Sequence, residues 1–172
     1  MPDQTTYRDL IPVIVEREQV TLPDGFDSWG IKSTRPDLRT YGGYRWPFPG
    51  SVAVADNPDP ANTDACPARP GDGLCVALSW RGMASGRIPA RTLLLVAYRA
   101  ADVLGRDERS GKLRCPAVAV VAVVDGQRLL SECGEGANLR DAHLGGADLQ
   151  DALINERTRW PIDYTPHGVV TA

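Results

Sequence analysis

The stretches Leu93-Leu94-Leu95-Val96-Ala97-Tyr98 and Ala117-Val118-Ala119-Val120-Val121-Ala122-Val123-Val124 are continuous apolar runs. Runs of this length and composition are typical of strands that are buried on both faces of a sheet. We therefore expect two core strands. The charged residues 106–112 between them predict a solvated, hairpin-like loop, and Asp125-Gly126 predicts a turn that ends the second strand.

Weaker signals lie on the N-terminal side of these strands. Residues 10–22 carry aliphatic side chains in near alternation, which predicts one or two short strands, and residues 51–55 predict another. The alternating residues are Ile11, Val13, Val15, Val20 and Leu22. Residues 74–84 space Leu74, Leu78 and Trp80 as on one helix face, so we expect a short helix there, stopped by Gly86 and Pro89.

Two turn-rich segments separate these elements. Residues 23–50 are rich in aromatic residues, and Trp46-Pro47-Phe48-Pro49 has to be extended because of its prolines. This segment either packs aromatic rings against a sheet or forms a cradle for an aromatic ligand. Residues 56–73 predict a long loop, which is either functional or a simple insertion.

Near the C-terminus, four five-residue units stand in register over residues 137–156. Each unit begins with a small residue and has an aliphatic residue third. Five residues fit neither the period of a helix nor that of a flat strand, so the chain has to bend at each unit and keep these side chains inside a coil. The alternative is an irregular loop or a broken helix. The predicted coil core comprises Ala137, Leu139, Ala142, Leu144, Ala147, Leu149, Ala152 and Ile154.

The units Ala137-Asn138-Leu139 and Ala147-Asp148-Leu149 resemble the pentapeptide-repeat family, whose units read A-(D/N)-L-x-x. The resemblance implies a right-handed, four-sided β-helix, of which this chain has one coil. We expect an α+β, mainly β fold: a small β-rich domain with one short helix at residues 1–133, a closing coil at 134–157 and a capping tail at 158–172. Trp160 and Tyr164 are placed to cap the coil.

A second resemblance covers residues 40–130. The order of Gly73-Leu74-Cys75-Val76, a short helix, two strands and pentapeptide units looks like a domain of unknown function common in bacteriophage genomes. The histidine of that domain's motif is absent here. The resemblance implies a phage or prophage origin and names no reaction.

Composition limits the partners that we expect. The net charge is −3, without the basic excess of a sequence-independent nucleic-acid binder, so no nucleic-acid partner is expected. No leader peptide is recognisable, and no apolar run is long enough to span a membrane. We therefore expect a cytoplasmic protein, in the host cytoplasm or in a virion, with no membrane partner.

The four cysteines are Cys66, Cys75, Cys115 and Cys133. Their spacing does not match a zinc knuckle, and there is no Cys-x2-Cys pair. Free buried thiols, a disulfide and a metal site remain as alternatives; the first is preferred, and we expect no metal and no cofactor.

The sequence offers few catalytic residues. His143 and His167 have no nucleophile or acid at a catalytic spacing, so we expect neither to be catalytic. One enzymatic alternative is a small ADP-ribosyltransferase-like enzyme acting on a nucleotide-type ligand, for which Arg45, Arg81 and Glu132 are the candidates.

The preferred expectation is a non-enzymatic phage or prophage protein, such as a virion-associated accessory protein. It would act by binding a protein partner or a second copy of itself. The residues expected to take part are Trp46, Trp160 and Tyr164.

Overall fold

The computed structural model describes residues 10–40, 42–78, 82, 88, 91–126, 129, 153–154 and 170–171. Within these residues the fold is a seven-stranded antiparallel sheet in the order β2-β7-β4-β1-β3-β6-β5, accompanied by one short α-helix. This confirms the prediction of a β-rich α+β fold. The strands of the sheet are β1 Ser28–Thr34, β2 Val52–Val54, β3 Leu74–Ala77, β4 Thr92–Tyr98, β5 Gly105–Asp107, β6 Lys112–Cys115 and β7 Ala117–Asp125.

Strands β4 and β7 form the centre of the core, as the two apolar runs predict. They pair antiparallel, with Leu93 opposite Val124 and Ala97 opposite Ala119, and the register shifts between Leu95 and Val96. Residues 93–97 of β4 are completely buried. The prediction of burial on both faces is wrong for the end of β7, where Val123 is 43% exposed.

Three further predictions are confirmed. Strand β2 lies within residues 51–55 and pairs with β7 at one edge of the sheet. Strands β5 and β6 form the expected hairpin from the charged segment, with Arg106 opposite Leu113. Strand β7 ends at Asp125, as the Asp125-Gly126 turn predicts.

The prediction of one or two strands in residues 10–22 is wrong. This segment contains helix α1, Leu10–Glu18, and no strand. Leu10 and Ile14 are its buried residues, and a separation of four places them on one helix face. Pro12 is tolerated because it lies in the first turn, where the backbone N–H has no helical partner. Gln19, with φ of 51°, adopts the left-handed conformation just after the helix.

The prediction of a helix that begins at Leu74 is also wrong, because residues 74–77 form strand β3. Leu74 pairs with Cys115 and Val76 with Leu113, and all four side chains belong to the apolar core. Strand β1 was not predicted. It lies between β4 and β3, although its sequence contains Lys32, Ser33 and Thr34.

The C-terminal predictions lie almost entirely outside the described residues. Here the structure gives only a short parallel pair, β8 Leu153–Ile154 with β9 Val170–Thr171. The β-helical coil, the domain boundaries and the capping role of Trp160 and Tyr164 stay predictions. No helix in the described part of the chain is long and apolar enough to cross a membrane.

Candidate functional site

A cleft of about 720 Å³ opens where the end of β1, residues 42–46 and the loop 56–73 meet strands β3 and β6. This volume is in the range of small-molecule sites. The side chains that give the cleft its chemistry are Lys32, Trp46, Asp56, Cys66, Cys75 and Lys112.

The loop 56–73 is held in place by Arg114 of β6, which is completely buried. Its guanidinium donates hydrogen bonds to the carbonyl oxygens of Asp64 at 3.1 Å and Asp59 at 3.0 Å, and also to those of Asn62 and Asp72. A planar guanidinium with five N–H donors suits this arrangement. The loop is therefore fastened to the sheet by one side chain.

Asp72 provides the counter-charge inside the loop. Its carboxylate is buried, lies 3.8 Å from Arg114 and accepts hydrogen bonds from the Ala68 N–H and from Asn62. Burial opposes its ionisation, but these hydrogen bonds and the charge of Arg114 hold the pKa of Asp72 below its ordinary value. The loop thus has an ionic interior instead of an apolar one.

Two glycines let the loop and the sheet approach closely. A Cβ atom at Gly73 would lie 2.5 Å from Cγ of Arg114, and one at Gly105 would lie 2.6 Å from the carbonyl oxygen of Thr63. Contacts this short do not occur for real side chains, so both positions require glycine.

The anchored loop brings Cys66 over the sheet beside Cys75. Because Cys75 pairs with Arg114 and Ala77 pairs with Lys112, Cys75 and Lys112 share one face of the β3–β6 pair. The Lys112 ammonium lies 3.9 Å from the Cys66 sulfur, and the Cys75 thiol is near enough to shift the pKa of Cys66. Cys66 is exposed to solvent and Cys75 is half-buried.

These contacts make the two cysteines chemically different. The hydrogen bond from Cys75, with the positive charges of Lys112 and Lys32, lowers the pKa of Cys66 to about 6. The same hydrogen bond and burial raise the pKa of Cys75. At neutral pH, Cys66 is therefore a thiolate and Cys75 is a thiol that stabilises it.

The lining of the cleft also contains Lys32 and Trp46. The Lys32 ammonium lies 5.9 Å from the centre of the Trp46 ring, and burial lowers the pKa of Lys32. Tyr44 meets Trp46 edge-on, with ring centres 5.8 Å apart. Among the described residues, no carboxylate forms an ion pair with Lys32 or Lys112.

This arrangement can support thiol chemistry. An accessible thiolate is a nucleophile, and an adjacent thiol can resolve the product by forming a disulfide. Metal ligation is less well supported, since the described residues contain no group of three or more histidine, cysteine or acidic side chains.

The sequence-predicted site residues are dispersed. Trp46 is only 2% exposed and belongs to the core, and it also lines the cleft. Its predicted role in contact with a partner stays a prediction. Phe48 from the same segment is 65% exposed. The prediction that this segment packs its aromatic rings against the sheet therefore holds for Trp46 and does not hold for Phe48.

For the enzymatic alternative, Arg45 lies on the surface with its guanidinium 5.9 Å from the Phe48 ring centre. Arg81, Glu132, His143, His167, Trp160 and Tyr164 lie outside the described residues. That alternative stays a prediction.

The cysteines depart from the preferred prediction of buried thiols. Cys115 is a buried thiol, and burial raises its pKa to about 12, but Cys66 is exposed. Cys133 lies outside the described residues. The sequence analysis did not predict the cluster of Cys66, Cys75 and Lys112. The signal in the sequence was that Cys66 lies in the long loop 56–73 and that Cys75 follows this loop closely.

No protein-family model matches this chain, and neither does any curated protein or solved structure. The resemblances to pentapeptide repeats and to a phage domain stay sequence-based predictions. The chemistry of the cleft therefore has to indicate the function.

Proposed function

We propose that the protein carries out thiol–disulfide exchange with Cys66 and Cys75. The observation that supports this most is the position of Cys66, which is open to solvent, next to the Cys75 thiol and 3.9 Å from the Lys112 ammonium. Redox-active cysteines have this combination of an accessible thiolate, a nearby cation and a second thiol.

The first step is attack by the Cys66 thiolate on one sulfur of a small disulfide, R–S–S–R. A Cys66–S–S–R bond forms, the S–S bond of the reagent breaks, and R–S⁻ leaves. The Lys112 ammonium keeps Cys66 in the reactive thiolate form at neutral pH.

The second step closes the protein disulfide. Once Cys66 is in the mixed disulfide, it no longer has the negative charge and the hydrogen bond that raise the pKa of Cys75. Cys75 then passes its proton to the departing R–S⁻ and attacks Cys66. The Cys66–Cys75 bond forms, the bond from Cys66 to the R–S group breaks, and the second R–S group leaves as the protonated thiol R–SH, so two electrons have passed from the cysteines to the reagent.

The experiment uses the neutral reagent 2-hydroxyethyl disulfide at pH 7, followed by acid quenching and peptide mapping by mass spectrometry. We expect a Cys66–Cys75 disulfide, with Cys115 still a thiol. Cys75→Ser keeps a hydrogen-bond donor but cannot close the disulfide, so it should stop at the mixed disulfide on Cys66. Labelling of Cys66 no faster than that of a free cysteine thiol, or no Cys66–Cys75 product, would overturn the proposal.

We also propose, from a separate observation, that the protein associates with a second copy of itself, as the expectation for a phage-encoded contact protein suggests. In edge strand β2, Val52 is 49% exposed and Val54 is 59% exposed. The strand contains no charged residue and no proline, which are the residues that commonly protect sheet edges from pairing. A neutral edge can pair with its own copy without charge repulsion.

This second function has its own test by analytical ultracentrifugation. Val52→Lys and Val54→Lys should convert a dimer into a monomer, whereas Arg45→Lys, on the exposed segment before β2, should not. A wild-type protein that is monomeric at all accessible concentrations would contradict it and would leave the thiol proposal unaffected.

A further inference from the structure

Two donor groups on residues that line the cleft have no acceptor or carboxylate partner among the described residues. The first is the Trp46 indole N–H, which is buried and has no hydrogen-bond acceptor within the described structure. The second is the Lys32 ammonium, which lies 5.9 Å from the Trp46 ring centre. Buried donors without acceptors are rare in folded proteins, because each one costs free energy.

Both groups are donors, and both lack a matching acceptor. Burial already disfavours the charge on Lys32, since it lowers the pKa of that ammonium, and no described carboxylate offsets this. A carboxylate from a ligand would supply the missing counter-charge to Lys32. Its oxygen atoms could also accept a hydrogen bond from an indole N–H.

The charge of the cleft changes during the proposed reaction. The lining contains Lys32, Lys112 and Asp56, together with Arg69, which pairs with Asp59 at 3.4 Å. The Cys66 thiolate offsets one of the lysines before reaction. In the mixed disulfide this negative charge is gone, so an anionic group bound to Cys66 is favoured over a cationic one.

Resting on the proposed thiol–disulfide exchange, we infer that the substrates of this cleft are small disulfides that carry a carboxylate, and that Lys32 and the indole N–H of Trp46 form the carboxylate subsite. The thiolate of Cys66 meets the disulfide, and the carboxylate arm lies toward β1. A cleft of about 720 Å³ accommodates a reagent of peptide size. Tyr44 and Trp46 provide an apolar wall for the part of the substrate that joins its disulfide to its carboxylate.

The test compares three disulfides of different charge: glutathione disulfide, which is anionic, 2-hydroxyethyl disulfide, which is neutral, and cystamine, which is cationic. For each reagent, the rate of Cys66 modification is measured by intact-protein mass spectrometry in wild type, Lys32→Met and Lys32→Arg. The ratio of variant to wild type within one reagent cancels the intrinsic reactivity of that reagent.

We expect Lys32→Met to slow the reaction with glutathione disulfide about tenfold, which is the size of one charge-assisted hydrogen bond. The reaction with 2-hydroxyethyl disulfide should slow less, because that reagent has no charge for Lys32 to bind and loses only the help that Lys32 gives to the Cys66 thiolate. Cystamine should lose no more rate than 2-hydroxyethyl disulfide does, and Lys32→Arg should restore most of the rate with glutathione disulfide. Added salt should reduce the advantage of the anionic reagent.

The outcomes separate this inference from the function on which it rests. If Lys32→Met slows all three reagents equally, the carboxylate subsite is wrong and the exchange function stands. If Cys66 reacts with none of the three faster than a free cysteine thiol, the exchange function itself is wrong. A thermal melt of each variant checks that the fold is retained.

Discussion

Strands β4 and β6 lie in one sheet and are both buried, but they bury different kinds of side chain. Residues 93–97 of β4 are aliphatic and completely inaccessible. All four residues of β6, Lys112–Cys115, are also buried, and two of them are cations: Lys112 at 9% exposure and Arg114 at 0%. Apolar contacts stabilise the first strand, and hydrogen bonds to a loop stabilise the second.

The difference shows what each kind of burial requires. A leucine in β4 needs only apolar neighbours, which the adjacent strands provide. Arg114 needs oxygen acceptors, and it finds them on residues 59–72, more than 40 positions away in the chain. An ionic interior of this type forms only if the whole loop folds against it, and in this protein the result is the cleft with its cysteine pair.

The largest effect that we expect is from Arg114→Met. It leaves the buried Asp72 carboxylate and several carbonyl groups without their donor, and breaking a buried ion pair in this way costs about 3–5 kcal/mol. Arg106→Met on the neighbouring strand β5, where the side chain is exposed, should cost less than about 0.5 kcal/mol. Urea unfolding of both variants measures the two values, and equal losses would mean that Arg114 does not hold the loop.

The apolar half gives the next prediction. Leu95→Ala in β4 should cost about 2–4 kcal/mol in free energy of unfolding, because it removes buried methyl groups and leaves a cavity. Val123→Ala in β7, which is 43% exposed, should cost less than about 1 kcal/mol. A small loss for Leu95→Ala would show that β4 is not the packed centre of the core.

The contact between loop and sheet gives a smaller effect. Gly105→Ala places a methyl group against the backbone of Thr63 and should cost about 1–3 kcal/mol. Gly42→Ala is its control, since nothing lies within 4 Å of an added Cβ atom there. If the two alanine variants have the same melting temperature, the loop does not approach β5 as closely as described.

The same contrast explains what could be predicted from sequence. The runs at 93–98 and 117–124 identify β4 and β7 because apolar burial is visible in composition alone. The spacing of Leu74 and Leu78 is compatible with both a helix and a strand, and the strand forms because Leu74 and Val76 pair with Cys115 and Leu113 of β6. In residues 10–18, Leu10 and Ile14 support a helix better than the apparent alternation supports a strand.

The candidate site could not be predicted in the same way. Cys66, Lys112 and Lys32 come from a loop and two strands that are distant in the chain, and no short motif links them. Arg114 and Asp72 have the appearance of solvated surface charges in the sequence. Their burial depends on tertiary hydrogen bonds that local pattern does not contain.

The smallest expected effect concerns Lys112. Lys112→Met removes the ammonium 3.9 Å from the Cys66 sulfur, which raises the pKa of that thiol and leaves less thiolate at neutral pH. The reaction of Cys66 with 2-hydroxyethyl disulfide at pH 7 should therefore slow several-fold. Arg109→Met, which removes the same charge from the exposed β5–β6 turn, should leave the rate unchanged. Equal rates in the two variants would exclude Lys112 as the activating cation.

The most direct test of the reactive thiolate is the pH dependence of Cys66 alkylation by iodoacetamide, followed by peptide mapping. Because the pKa of Cys66 is lowered to about 6, the rate should be near its plateau at pH 7 and should fall as the pH drops through 6 and the thiolate is protonated. Cys115, whose pKa burial raises to about 12, should stay unlabelled throughout and serves as the internal reference. A Cys66 profile that rises only above pH 8, like that of an ordinary cysteine, would contradict the account.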